Sequence, residues 1–186
     1  MRTTGWESRL ILPVSPDRDH IRGSLDAPVS VVEYGDYQCP YCAAAQPIVE
    51  SIRARLGGIL HFVFRHFPMS TVHPLARGAA EAAEAAGARG RFWEMHELLF
   101  ENQPRFELPH LLVYAKAVGI DPDAVAVELA RHVHEPKVSE DFMSGVRSGV
   151  NGTPTFFING IRHDGSWEAA PLMTAIQNAA AARSEA

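Results

Sequence analysis

The chain has 186 residues, of which 46% are hydrophobic and 21% are charged, so it can bury an ordinary core. This length suggests one domain, or one domain with an insertion. The formal net charge is −5 with nine histidines counted as neutral, and lysine and arginine form no cluster along the sequence. This charge pattern argues against a nucleic-acid partner and against an anionic membrane surface.

The N-terminal residues carry no recognisable export signal. They lack a basic start followed by an apolar stretch, and no later segment reaches 18 uninterrupted apolar residues. We therefore expect a cytoplasmic chain without membrane insertion. A chain whose leader had been removed would look the same, so a periplasmic or other extracytoplasmic location is the alternative.

The first part of the chain predicts an extended lead-in over residues 1–25. Prolines, a glycine and the charged cluster at residues 17–20 interrupt any regular pattern there. The charged cluster is interpreted as a solvated turn.

A strand, a helix and a second strand follow. The β-branched run at residues 29–34 predicts a strand, and residues 39–56 predict a helix that ends at Gly57-Gly58. The apolar residues 59–64 predict the second strand. Because the connections are short, the three elements predict a parallel βαβ unit with a right-handed crossover.

Residues 73–148 have helical periodicity and predict five short helices without a strand. Phe92, Met95 and Leu99, for example, form one apolar stripe. Beyond this block, residues 155–158 predict a short strand.

The last elements form a hairpin and a helix. Asn159-Gly160 is a strong two-residue turn signal, and it predicts a returning strand over residues 161–163. A final helix is expected over about residues 167–182.

Cys39 and Cys42 are the only cysteines, and they lie at the start of the first predicted helix. Residues i and i+3 of a first helical turn fall within the Cα separation of about 4.4–6.8 Å that a disulfide requires. The helix N-terminus stabilises a thiolate at Cys39, which lowers its pKa and makes it the attacking sulfur. Cys42 is expected to be less exposed and to act as the resolving thiol. Pro40 suits a first helical turn because its missing N–H has no partner there.

A C-x-x-C motif is also half of a zinc or iron–sulfur site, which is the remote alternative. Structural zinc needs four ligands, and the sequence has no second pair at the required spacing. We therefore expect no metal and no other cofactor. His132 and His134 do not share a helix face, and His66 is interpreted as a hydrogen-bonded loop residue rather than a catalytic one.

Residues 29–42, together with the later Gly152-Thr153-Pro154-Thr155, resemble the DsbA-like branch of the thioredoxin superfamily. The resemblance implies an α/β thioredoxin fold with a mixed sheet, βαβ then ββα, interrupted by an all-α helical insertion. In this arrangement residues 26–70 and 150–184 form the thioredoxin-like domain, and residues 72–149 form the inserted helical domain.

The resemblance also implies roles for individual residues. Thr153 and Pro154 match the family's cis-proline loop, which offers backbone to an extended substrate chain, and Pro40 and Tyr41 are expected to join this substrate-binding surface. Glu33 matches a buried acid of the family that exchanges a proton with the buried cysteine. The alternative for Glu33 is a solvent-facing strand residue.

The function implied is a protein thiol:disulfide oxidoreductase that acts on protein or peptide thiols and disulfides. The alternative is a cytoplasmic glutaredoxin-like or thioredoxin-like disulfide reductase, because the Pro-Tyr pair between the cysteines is shared with glutaredoxins. Glutathione or a redox partner protein is accordingly a further candidate partner. The sequence leaves the direction of electron flow open.

Overall fold

The structure is a computed structural model and is described for residues 8–184. These residues form one five-stranded sheet and seven helices. In chain order the elements are β1 (His20–Arg22), β2 (Val29–Gly35), α1 (Pro40–Leu56), β3 (Leu60–His66), α2 (Ala76–Gly87), α3 (Phe92–Glu101), α4 (Leu108–Ala117), α5 (Pro122–Ala130), α6 (Glu135–Arg147), β4 (Thr155–Ile158), β5 (Ile161–Arg162) and α7 (Ala169–Ser184).

The sheet is mixed and has the strand order β1-β3-β2-β4-β5. β2 and β3 are parallel, from Val29 opposite Leu60 to Gly35 opposite His66, which confirms the predicted βαβ pairing. The other three pairings are antiparallel. β2 is therefore the central strand, and its C-terminal end leads into the segment that carries the cysteines.

Alternate residues of the central strands enter two hydrophobic clusters, one on each face of the sheet. Val31 belongs to the larger cluster, which includes buried residues of α1, α2, α3 and α7. Val32 belongs to the smaller one, which the lead-in and Phe142 of α6 cover. Both side chains are at most 3% exposed, and full burial of a valine contributes about 1.5–3 kcal/mol. Burial on both faces explains why these strands read as continuous apolar runs.

The five helices predicted over residues 73–148 are confirmed as α2 to α6. The alanine-rich α2 is buried along most of its length, because its small side chains let the neighbouring helices approach closely. We propose that residues 72–149 act as one inserted domain, and that residues 26–70 and 150–184 act as the thioredoxin-like domain. No helix in the described part of the chain has both the length and the apolar character needed to cross a bilayer.

The sequence predicts an irregular lead-in with a solvated turn, and the structure differs from both parts of this prediction. It contains β1, and the carboxylate of Asp19 is buried against the guanidinium of Arg65, with 3.0 Å between Nε and Oδ1. His20 lies in β1, and its Nε2 is 3.0 Å from the carboxylate of Glu84. These partners lie 46 and 64 residues further along the chain, so the local composition could not reveal them. Residues 1–7 of the predicted lead-in lie outside the described residues.

Candidate active site

The two cysteines lie where β2 has ended and α1 begins. Cys39 is the residue before the helix and has an extended backbone, with φ −74° and ψ 121°, while Cys42 belongs to the first helical turn. Pro40 occupies the first helical position, as predicted. Both cysteines are thiols in this structure, with 2% exposure at Cys39 and 0% at Cys42.

Cys39 is surrounded by groups that favour its thiolate. The hydrogen bond from Cys42 is the largest cause that lowers the pKa of Cys39 to about 5, and the backbone N–H groups of Tyr41 and Cys42 lower it further against the opposing effect of burial. In the thiol form, Sγ of Cys39 donates to the carbonyl oxygen of Thr153 at 3.4 Å. A pKa of about 5 leaves this sulfur ionised at neutral pH.

Cys42 has the opposite electrostatic environment. Burial raises its pKa well above that of a free thiol, and its hydrogen bond to Cys39 and the nearby Glu33 raise it further. The backbone N–H of Asp36 lies 3.4 Å from Sγ of Cys42 and acts in the other direction. At neutral pH the pair therefore holds one thiolate and one thiol.

Glu33 is a buried carboxyl group in the central strand, with 2% exposure. It lies opposite Phe64 on one neighbouring strand and Phe156 on the other. Burial, followed by the charge of Cys39, raises its pKa to about 8. The alternative of a solvent-facing residue is therefore wrong, and the group has a pKa suited to proton exchange near neutral pH.

The residues predicted to contact substrate lie on both sides of Cys39. Thr153 and Pro154 are joined by a cis peptide bond, as expected, and both are partly exposed. Pro40 and Tyr41 are exposed, and Tyr41 retains 65% of its accessible surface. The hydrogen bond from Sγ of Cys39 to the carbonyl oxygen of Thr153 joins the C-x-x-C motif to the cis-proline loop.

Sequence reasoning missed the side chains that support this corner from the helical segment. Gln103, in a second cis-proline loop, donates from Nε2 to the carbonyl oxygens of Tyr37 and Cys39, the latter at 3.0 Å. The buried hydroxyl of Tyr37 is 3.0 Å from Nδ1 of His96. Only the Gln103-Pro104 dipeptide carried a sequence signal, and an X-Pro step in a loop is too common to indicate such a contact.

Three histidines that the sequence offered as catalytic or metal-binding candidates contact glutamate side chains. His66 ends β3 rather than lying in a loop, and its Nε2 is 2.8 Å from the carboxylate of Glu84. His132 lies 3.1 Å from the carboxylate of Glu81, and His134 contacts a different glutamate.

One group in the described part of the chain has a possible metal-ligating arrangement, and it comprises His66, Glu84 and Asp141. Its carboxylates already have cationic or hydrogen-bonding partners, because Glu84 faces two histidines and Asp141 accepts from Arg18 at 3.1 Å and Lys137 at 2.7 Å. Neither cysteine belongs to this group. Among residues 8–184, no group of three or more His, Cys, Asp or Glu ligand atoms includes either cysteine.

The fold and the paired cysteines define a DsbA-like protein of the thioredoxin superfamily. The family model described as thioredoxin matches residues 15–178, so the chain belongs to the thioredoxin family. Its structure is similar to that of oxidised BdbD from Bacillus subtilis, with 26% identity and a TM-score of 0.84 over 94% of this chain and 97% of BdbD. It also shares the fold of the thiol-disulfide exchange protein alpha-DsbA2 from Wolbachia pipientis, with 20% identity and a TM-score of 0.74 over 85% of each chain.

Curated relatives match the chain over part of their own length. It is 47% identical to a protein of Salinispora arenicola named Na(+)/H(+) antiporter NhaA 1, over 91% of this chain and 26% of that protein. A protein of the same name from Mycolicibacterium vanbaalenii is 42% identical over 95% of this chain and 30% of its own length. The chain thus spans between a quarter and a third of the length of these relatives.

The cytoplasmic location expected from the N-terminal sequence is contradicted by the DsbA-like neighbours. One of them is described as a periplasmic thioredoxin-like protein from Salmonella enterica serovar Typhimurium, with 18% identity and a TM-score of 0.72 over 88% of this chain and 91% of that chain. Disulfides form and persist in oxidising compartments of this kind. The hydropathy of the N-terminal residues carries no information about the redox chemistry of the fold, and this is why the prediction failed.

Proposed function

We propose that the chain is a protein thiol:disulfide oxidoreductase whose Cys39 and Cys42 exchange disulfides with protein or peptide thiols. The observation that carries the proposal is the contrast between the two sulfurs. The pKa of Cys39 is lowered to about 5, while that of the buried Cys42 is raised. Such a pair has one ionised sulfur that can attack a substrate and one protonated sulfur that reacts in the second step.

Each half of the reaction follows from this contrast. The thiolate of Cys39 attacks a substrate disulfide, and one substrate sulfur leaves as a thiolate while a mixed disulfide forms. In the mixed disulfide Cys39 carries no charge, so one cause of the raised pKa of Glu33 is removed and the carboxyl group can ionise. Cys42 then gives its proton to the Glu33 carboxylate and attacks Sγ of Cys39, which releases the second substrate sulfur and leaves the enzyme pair oxidised. The reverse sequence oxidises two substrate thiols, and Glu33 returns the proton to Cys42.

The substrate in this proposal is an extended polypeptide that lies across the exposed surface around Cys39. Thr153 and Pro154 contribute backbone on one side, and the exposed Pro40 and Tyr41 contribute contact area on the other. A carbonyl group beside the reacting sulfur aligns a client backbone with the sulfur–sulfur bond to be exchanged. Glutathione or a redox partner protein is the second class of partner.

Oxidation of substrate thiols is the direction we favour. A stabilised thiolate favours the reduced pair, and this makes the corresponding disulfide a stronger oxidant. The pKa of Cys39, about 5, lies between the values of about 7 for thioredoxin and about 3.5 for DsbA. A glutaredoxin-like or thioredoxin-like reductase is the competing function, supported by the Pro-Tyr pair between the cysteines.

Two assays test the proposal. Replacement of Cys39 by serine should abolish both the reduction of insulin and the oxidation of reduced ribonuclease, whereas Cys42→Ser should stop at a trapped mixed disulfide. Unchanged rates in Cys39→Ser would refute the function. The equilibrium of the pair in defined glutathione mixtures separates the two directions, since DsbA and thioredoxin differ by about 150 mV.

A further inference from the structure

The backbone of Asp36 contacts both cysteines, although the residue itself carries no redox chemistry. Its carbonyl oxygen accepts from the N–H of Cys39 at 3.1 Å. Its own N–H donates to Sγ of Cys42 at 3.4 Å. The orientation of this one residue therefore affects the geometry of both sulfur-bearing residues.

The side chain of Asp36 is anchored by three donors. The residue is 1% exposed. Its Oδ1 accepts from the N–H of Gln38 at 2.7 Å, and its Oδ2 accepts from the N–H of Met69 at 2.8 Å. The same Oδ2 lies 2.8 Å from Nδ1 of His73, which donates because a carboxylate can only accept. A buried carboxylate with three donors is compensated and fixed in orientation.

Residues 67–75 follow β3 and form hydrogen bonds with residues 35–38, and we name them the anchoring loop. The loop begins with a bond from the N–H of Phe67 to the carbonyl oxygen of Gly35 at 2.8 Å. It ends with a bond from the N–H of Leu75 to Oε1 of Gln38 at 2.9 Å. With the bonds from Met69 and His73, four contacts join the anchoring loop to residues 35–38.

We propose that Asp36 and His73 are positioning residues for the resolving step, in which the N–H of Asp36 stabilises the developing thiolate of Cys42. This inference rests on the proposed exchange function and specifies how its second half works. His73 and the two backbone donors fix the carboxylate, and the fixed residue directs its N–H at Sγ of Cys42.

The resolving step has particular need of such a donor. Cys42 is 0% exposed, so its thiolate has no water to solvate it. When Cys42 loses its proton and attacks Sγ of Cys39, the bond between Cys39 and the substrate sulfur breaks, and the substrate sulfur leaves as a thiolate. The N–H of Asp36 lowers the pKa of Cys42 against burial, which is the direction that this step requires. Cys39 has its own donors in α1 and depends less on Asp36.

The two steps can be timed separately in the intact, reduced protein with one equivalent of 5,5′-dithiobis(2-nitrobenzoate). Attack by Cys39 breaks the reagent's disulfide and releases a first nitrothiobenzoate. Attack by Cys42 on the resulting mixed disulfide releases a second one and leaves the protein pair oxidised. Stopped-flow absorbance resolves the two releases, and their rates report the two cysteines in turn.

In Asp36→Asn, an amide NH₂ replaces an acceptor among the three donors, and in His73→Phe the ring donor is lost. We expect the second release to slow about tenfold in each variant, while the first changes less than threefold. His73→Gln, which can donate from its amide, should restore most of the second rate. His134→Phe is the matched control, because His134 also pairs with a carboxylate at 2.9 Å and has 16% side-chain exposure against 18% for His73.

Equal slowing of both releases in Asp36→Asn and His73→Phe, or a second release within twofold of the parent, overturns the inference. If the parent itself releases no nitrothiobenzoate rapidly, the proposed exchange function fails instead. A measurement without either variant covers the case in which they do not fold. In Cys39→Ser, the amide proton resonance of Asp36 should shift as Cys42 titrates. A chemical shift that stays constant through this titration also overturns the inference.

Discussion

Arg65 and Asp19 form a bidentate ion pair that is buried from solvent. Nε lies 3.0 Å from Oδ1 and Nη2 lies 3.0 Å from Oδ2, and both side chains are 0% exposed. The guanidinium also donates to the carbonyl oxygens of Leu12 and Pro13, at 2.8 and 3.2 Å. One side chain of β3 thus fastens the lead-in to the sheet.

Replacement of Asp19 by alanine should lower the free energy of unfolding by about 3–5 kcal/mol, because it leaves a buried guanidinium without its counter-ion. Urea denaturation under reducing conditions measures the loss. Arg91→Ala is the control, since Arg91 pairs with Glu94 at the surface, where the two side chains are 54% and 46% exposed. It should change stability by less than about 0.5 kcal/mol. Similar losses in both variants would contradict the importance assigned to the buried pair.

Replacement of Cys42 by alanine should raise the pKa of Cys39 above its value of about 5, because the largest stabilising contribution to the Cys39 thiolate is the hydrogen bond from Cys42. Cys42→Ser retains a donor at the same position and should raise the pKa less. The thiolate absorbance near 240 nm, followed against pH in each single-cysteine protein, gives the pKa directly. An unchanged pKa in Cys42→Ala would assign the effect to the helix N-terminus instead.

Glu33 and Cys39 should have opposite effects on how stability depends on pH. Burial raises the pKa of Glu33 from 4.5 to about 8, so the folded state keeps a proton that the unfolded state has lost, and stability falls as pH rises between these values. The pKa of Cys39 is lowered from 9.0 to about 5, so the folded state has lost a proton that the unfolded state keeps, and stability rises with pH. Between pH 5 and 8 the two effects oppose each other.

Replacement of Glu33 by glutamine removes the contribution that makes stability fall as pH rises. The difference in unfolding free energy between Glu33→Gln and the parent should therefore increase with pH from 5 to 8, by at most about 1.4 kcal/mol per pH unit. Urea titrations of the reduced proteins at several pH values provide the comparison. A difference that does not vary with pH would show that Glu33 titrates normally.

Replacement of Tyr41 by serine should reduce kcat/KM for a polypeptide substrate by about three- to tenfold, because an exposed aromatic ring supplies contact area to a bound chain. The rate with a small disulfide such as oxidised glutathione should change much less. The ratio of the two rates is the measurement, and Val113→Ser, at a residue 63% exposed on α4, is the control for losing an exposed apolar side chain. Equal effects on both substrates would argue against polypeptide binding by Tyr41.

The strands and helices could be predicted because their signals are local. Gly57 and Gly58 mark the end of α1, as predicted, and Asp121 caps α5 because its side chain accepts a hydrogen bond from the N–H of Asp123 at 3.0 Å. The spacing of Cys39 and Cys42 likewise indicated their position at a helix start. Each of these features depends on residues within one or two turns of the chain.

The supporting contacts of the site could not be predicted because they join distant parts of the chain. His73 is 37 residues from Asp36, and Gln103 is 64 residues from Cys39. No periodicity or spacing relates such pairs, and each residue type is common in loops. The burial of Glu33 has the same origin, since it depends on strands that pair on both sides of β2.

The two outer strands of the sheet are its shortest, with three residues in β1 and two in β5. A long unpaired edge is a template on which a foreign strand can anneal. An extended polypeptide finds only three residues of backbone to join at β1, and at β5 residues 8–10 of the lead-in are already hydrogen-bonded to the hairpin. Short or covered edges of this kind disfavour edge-to-edge association with the extended polypeptides that we propose as substrates.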